Sequence, residues 1–142
     1  MSSIDSKDNI ERFVRLKGGI LSTLKMLEEG TISDINIRDS SWNDMTALIY
    51  QAACGTVESM KSLLAHKPPA LVNLKDRLGC TALHYAVMSG DNQAAKVRLL
   101  LDYGAEKTIW DNGGCTALEY ARKYNLTECI KVLESFAPKL RG

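Results

Sequence analysis

The side chains with catalytic or metal-binding potential are four cysteines (Cys54, Cys80, Cys115 and Cys129), two histidines (His66 and His84) and carboxylate pairs such as Glu28-Glu29. A thiol beside an imidazole makes a nucleophile and its base, and thiols with imidazoles at short spacing hold zinc. Neither pattern forms here. No two cysteines stand as C-x-x-C, and the two histidines complete no zinc pattern. The G-x-S-x-G, Walker and G-x-G-x-x-G patterns are missing too. Gly18-Gly19 reads as a helix stop, Glu28-Glu29 as solvated carboxylates at a helix end, and His66 as an exposed neighbour of prolines. The sequence therefore reads as a non-enzyme with no cofactor and no metal.

The N-terminus, Met1-Ser2-Ser3-Ile4-Asp5-Ser6-Lys7, is polar and carries no apolar stretch of the secretory kind. Without one the thiols are expected free, in a reducing compartment: cytoplasmic, and possible in the nucleus as well. The sequon Asn125-Leu126-Thr127 then carries no glycan. No run approaches the ~18 apolar residues of a membrane span, and lipidation motifs are missing, so no membrane partner is expected. Eighteen basic residues against seventeen acidic ones leave a net charge of +1. Lys96, Arg98, Lys123, Lys131, Lys139 and Arg141 read as solvated positions scattered among acids, and no nucleic-acid partner is expected. The expected state is a monomer.

An internal repeat sets the organisation. Thr46-Ala47-Leu48, Thr81-Ala82-Leu83 and Thr116-Ala117-Leu118 recur at intervals of 35. Each is followed by a second helical pattern: Met60, Leu63 and Leu64; Val97, Leu100 and Leu101; Ile130 and Leu133. Turns precede the later copies, Asp76-Arg77-Leu78-Gly79 and Asp111-Asn112-Gly113-Gly114, and Asp44 stands where the first copy would have the glycine. Threonine at the head of each copy is placed to cap the first helix. Gly55, Gly90 and Asn125 are placed to end it in a left-handed conformation. Extra length falls at His66-Lys67-Pro68-Pro69-Ala70 and at Asp91-Asn92-Gln93-Ala94.

Thr81-Ala82-Leu83-His84-Tyr85-Ala86 resembles the Thr-Pro/Ala-Leu-His-x-Ala motif of ankyrin repeats, and Asp102-Tyr103-Gly104-Ala105 resembles that family's helix end. The other copies depart from it, with Ile49 and Glu119 in place of His84 and Gln51 in place of Ala86. The resemblance implies an all-α fold (an α-solenoid) of four stacked repeats at about 6–38, 39–73, 74–108 and 109–137, with a short tail at 138–142. Each repeat would be a helix-turn-helix joined to the next by a β-hairpin-like loop. The opening repeat is degenerate, with helices around Ile10, Phe13 and Val14 and around Ile20, Leu24 and Leu27. Ile35-Asn36-Ile37-Arg38 matches Val72-Asn73-Leu74-Lys75 as a strand entering the next hairpin. Glu134 replaces Leu64 and Leu101, and Glu119 replaces His84, as expected of a terminal repeat with a polar outer face; the chain reads as a self-standing array.

The family binds other proteins with its hairpin tips and the exposed side of its first helices, a concave surface. Carried over, the tips are Ser41, Trp42, Asn43 and Met45; Arg77, Leu78 and Cys80; and Asn112, Gly113 and Cys115. Helix-side positions are Ala53, Cys54, Met88, Ser89, Lys123 and Tyr124. Trp42 lies on a turn two residues longer than the next, where turn geometry alone gives a large side chain no role. Tyr50, Tyr85 and Tyr120 form a ladder, either as anchors for a partner or as rings wedged between helix and hairpin with wet hydroxyls. For Trp110, where the previous copy has Lys75, partner contact and local packing both stay open. The reading is an adaptor, scaffold or inhibitor binding one or more proteins, with no charge class implied. A second reading is a redox- or small-molecule-responsive switch built on Cys80 and Cys115, at matching turn positions.

Overall fold

Among the described residues the sequence forms six helices. They are α1 (Ala47–Cys54), α2 (Val57–Ala65), α3 (Ala82–Met88), α4 (Gln93–Asp102), α5 (Ala117–Lys123) and α6 (Thr127–Ser135). The computed structural model describes residues 34–38 and 43–136. The expected helices of the opening repeat, Ser41, Trp42 and the tail lie outside the described residues. Three repeats, each a helix pair, are seen within them.

The caps hold as expected, with one variation. Thr46 Oγ1 accepts from the Ile49 N–H at 3.3 Å, and Thr116 Oγ1 from the Glu119 N–H at 3.3 Å. Glu119 returns the favour by accepting from the Thr116 N–H at 3.0 Å, a capping box. At Thr81 the cap runs through the histidine, whose Nδ1 lies 3.1 Å from both the Thr81 N–H and its hydroxyl. A backbone N–H can only donate, so Nδ1 accepts and Nε2 carries the ring hydrogen. Nε2 then donates to the Cys115 carbonyl at 2.9 Å, joining this repeat to the next. His84 is structural. Glu119 keeps the cap and faces solvent instead.

The helix stops correct one expectation. Gly90 and Asn125 are left-handed, with φ of 80° and 55°. Gly55 is not: its φ is −97° and ψ −158°, extended backbone open to any residue. Its glycine serves close approach, since a Cβ there would sit 1.9 Å from Gln51 Oε1. Gln51 is the residue that breaks the Ala pattern of the other copies, and its buried Oε1 accepts from Ser59 Oγ at 2.8 Å.

The helices pack in two layers. α1, α3 and α5 lie side by side, as do α2, α4 and α6, and each first helix packs on its own second helix. Leu48, Leu83, Met60, Leu63, Val97, Leu100 and Leu133 form the buried seam, with Ala52, Ala86 and Ala121 where helices come closest. Leu64 and Leu101 are buried between repeats, whereas Glu134 is exposed and paired with Arg122 at 2.5 Å. The outer face of the last pair is therefore polar.

The segments between pairs are turns and extended loops rather than the expected strands, with a single bridge at Met45 among the described residues. Asparagines join them. Asn36 Oδ1 accepts from the Leu71 N–H at 2.7 Å, and Asn73 Oδ1 from the Glu106 N–H at 2.9 Å, one repeat further on. Lys96 corrects the reading of scattered surface lysines. It is buried, and its Nζ donates to the Ala52 carbonyl at 3.2 Å, in the last turn of α1. Burial holds its ammonium below the usual lysine range. Lys107 does similar work on α6, donating to the carbonyls of Leu133 and Phe136 at 2.9 and 3.1 Å.

Candidate functional site

Two aspartates build the hairpin tips. Asp76 Oδ1 accepts from the N–H groups of Leu78 and Cys80, both at 2.9 Å. Asp111 Oδ1 accepts from Gly113 at 2.9 Å and Cys115 at 3.0 Å. The second oxygen of each takes a tyrosine hydroxyl from the following first helix, Tyr85 on Asp76 and Tyr120 on Asp111. Asp111 Oδ2 also receives the Cys80 thiol at 3.8 Å, from the neighbouring tip. The tips then stack by backbone bonds. The Arg77 N–H donates to the Asn43 carbonyl at 2.8 Å, and the Asn112 N–H to the Leu78 carbonyl at 3.0 Å.

The network shifts the proton affinity of Asp111, Tyr120, Tyr85 and Cys80. The Tyr120 hydroxyl, helped by backbone N–H groups, holds the Asp111 carboxyl below its usual range. The same bond raises the Tyr120 hydroxyl, which the carboxylate needs protonated. Burial and then the bond to Asp76 raise Tyr85. Burial, with the charges of Asp76 and Asp111, pushes the Cys80 thiol up to about 12. A thiol so held is a hydrogen-bond donor and a poor nucleophile.

The predicted surface divides accordingly. Asn43, Arg77, Leu78 and Asn112 are exposed at the tips, Arg77 paired with Asp44 at 3.4 Å. Asn112 is also a clamp, its side-chain N–H donating to the Arg77 carbonyl at 3.1 Å. Met45 and Cys80 are corrections. Met45 packs into the core, and Cys80 turns inward to Asp111, so neither offers a surface. Cys115 is half-buried. The three tyrosines are half-buried against the core, which favours wedged rings, but the hydroxyls of Tyr85 and Tyr120 are not left to water as expected: they are spent on the turn aspartates. Trp42 lies outside the described residues.

Beside these polar residues, large apolar side chains are exposed as well. Leu78 is 51% exposed, Met88 39% and Tyr124 54%. Met88 and Tyr124, with Val87, Gln93 and Leu126, line a hollow of about 250 Å³ between the ends of α3 and α5. The Lys123 ammonium lies 5.6 Å from the Tyr124 ring centroid. Trp110, on the loop entering the last tip, is 65% exposed, which removes the packing alternative for it.

Asp76 and Asp111 were missed by sequence reasoning, although the signal is there: an aspartate nine residues before a tyrosine, in both copies. The four cysteines stand unpaired. Among the described residues no cluster of His, Cys, Asp and Glu has the form of a metal site, and no helix is long and apolar enough to cross a membrane.

A family model for ankyrin repeats, in three copies, matches the chain over residues 13–111 and again over 70–138. No curated protein matches it.

Proposed function

The chain belongs to the ankyrin-repeat family, and from that premise we propose a non-enzymatic interaction module, an adaptor, scaffold or inhibitor, that binds a protein through its concave surface of tips and first helices. Repeats of this family generally mediate protein–protein interaction. The observation that supports the surface is the exposure of Leu78 and Met88 on one repeat and Tyr124 on the next, large side chains with apolar surface that gains nothing from solvent. Tyrosine and methionine are enriched in interface cores. The family match begins at residue 13, upstream of the described helices, which supports an additional opening repeat. Free thiols favour a reducing compartment, the cytoplasm or nucleus.

The test is affinity capture from source lysate with mass spectrometry, run in parallel on the wild type, Leu78→Asp/Tyr124→Ala and Lys61→Ala. Lys61 is exposed on α2, in the other layer. A partner retained by wild type and Lys61→Ala and lost by the double variant supports the reading. Equal capture by all three removes this surface from it. The switch reading loses its centre, because Cys80 is buried and held protonated.

A further inference from the structure

Asn112-Gly113 is the one asparagine–glycine pair in the chain, and it sits at an exposed tip. Glycine leaves the following amide nitrogen unhindered, so such a pair can cyclise. We propose that Asn112 is a deamidation site held latent by the stacked tips and released when the last two hairpins separate. In the step, the Gly113 nitrogen gives up its hydrogen and attacks Asn112 Cγ. The N–Cγ bond forms, the Cγ–Nδ2 bond breaks, and ammonia leaves. Water then opens the imide at either carbonyl, giving aspartate or isoaspartate. The net change is water gained and ammonia lost, with no oxidant.

Both reacting groups are restrained in the folded protein. The Gly113 N–H is engaged by Asp111 Oδ1 at 2.9 Å. Asn112 is held from the neighbouring repeat: its Nδ2 donates to the Arg77 carbonyl at 3.1 Å, and its Oδ1 lies where a Cβ on Gly79 would come within 2.6 Å. To close the ring, Asn112 must leave Arg77 and Gly113 must leave Asp111, which amounts to local opening of the tip stack. The product cannot restore the clamp. A carboxylate has no hydrogen to give the Arg77 carbonyl, and isoaspartate adds a backbone atom to a tight turn.

The test follows deamidation at position 112 by peptide mapping of the full-length protein, aged at mildly alkaline pH in native buffer and in unfolding guanidinium chloride. Gly113→Ala is the control, because its Cβ would meet only Asp111 Oδ1, at 3.4 Å, while hindering ring closure. The expected result is modification at least about tenfold slower in the native state than in the unfolded one, with Gly113→Ala slowed when unfolded. Asn112→Asp, the product itself, should lower the melting temperature by about 2–8 °C. Equal rates folded and unfolded overturn the latching. No mass gain at 112 in the unfolded chain overturns the site, and an unchanged melting temperature for Asn112→Asp overturns the consequence.

Discussion

Tyr120 gives its hydroxyl hydrogen to Asp111, nine residues earlier, and so ties the first helix of the last repeat to the turn that precedes it. Tyr85 and Asp76 repeat the arrangement one repeat back. The aspartate is thereby saturated: one oxygen organises the turn, the other anchors the helix. The tyrosine ladder is thus partly an internal strut, and the large apolar side chains left exposed around it are Leu78, Met88, Trp110 and Tyr124.

Tyr120→Phe should destabilise the protein by about 1.5–3 kcal/mol, the loss of a hydrogen bond to a charged group. Tyr50 makes no comparable hydroxyl bond among the described residues, and Tyr50→Phe should cost less than about 0.5 kcal/mol. Paired denaturant melts check the difference. Similar effects for both would mean that the hydroxyl bond contributes nothing beyond ring burial.

Acid should weaken the fold through the same carboxylate. The folded-state carboxyl of Asp111 lies below its ordinary 3.8. Its stabilisation is therefore fully present above 3.8 and is lost as pH falls through the lower, folded value. Stability measured from about pH 5 to about pH 2.5 should decline, and Tyr120→Phe should flatten part of that decline. Cys80 acts in the opposite direction. Its contribution is present below its ordinary 9.0 and is lost as pH rises through about 12.

The thiols should react in the order Cys54, Cys115, then Cys80 and Cys129 together. Cys54 is exposed, Cys115 half-buried and the other two buried. Timed alkylation with peptide mapping reads this directly. Fast labelling of Cys80 in the folded protein would contradict its bond to Asp111.

Much of this was legible in the sequence, because each repeat carries its own start and stop. Threonine caps, the apolar i, i+3, i+4 faces and the Gly90 and Asn125 stops are local signals, and the structure places them as read. What failed to show is what depends on the neighbouring repeat. Cys80 looks like a tip residue in its own repeat, yet it is buried and donates to Asp111 of the next one. Lys96 reads as a solvated charge along α4, yet the end of α1 takes its ammonium into the interior. Met45 leads into α1 from a turn and sinks into the core. Side-chain direction at the tips is set by stacking, which spacing along one chain does not encode.

Gly55 and Gln51 offer the sharpest test of that dependence. The other copies place alanine at the Gln51 position, Ala86 and Ala121, and a left-handed residue at the helix stop. Here the glutamine side chain is buried and bonded to Ser59, and its Oε1 occupies the space beside the extended Gly55. Gly55→Ala should therefore cost about 1–3 kcal/mol, since the new methyl meets a side chain that cannot swing away without losing a buried bond. The Gln51 backbone carbonyl, 2.9 Å from the added Cβ, would remain after the side chain is removed. In a Gln51→Ala background the cost should fall to that residual contact. A double-mutant cycle by denaturant melts should then show a coupling of about 0.5–3 kcal/mol. Additive effects would mean that the glycine answers to the backbone alone, and that the two departures from the repeat pattern are energetically independent.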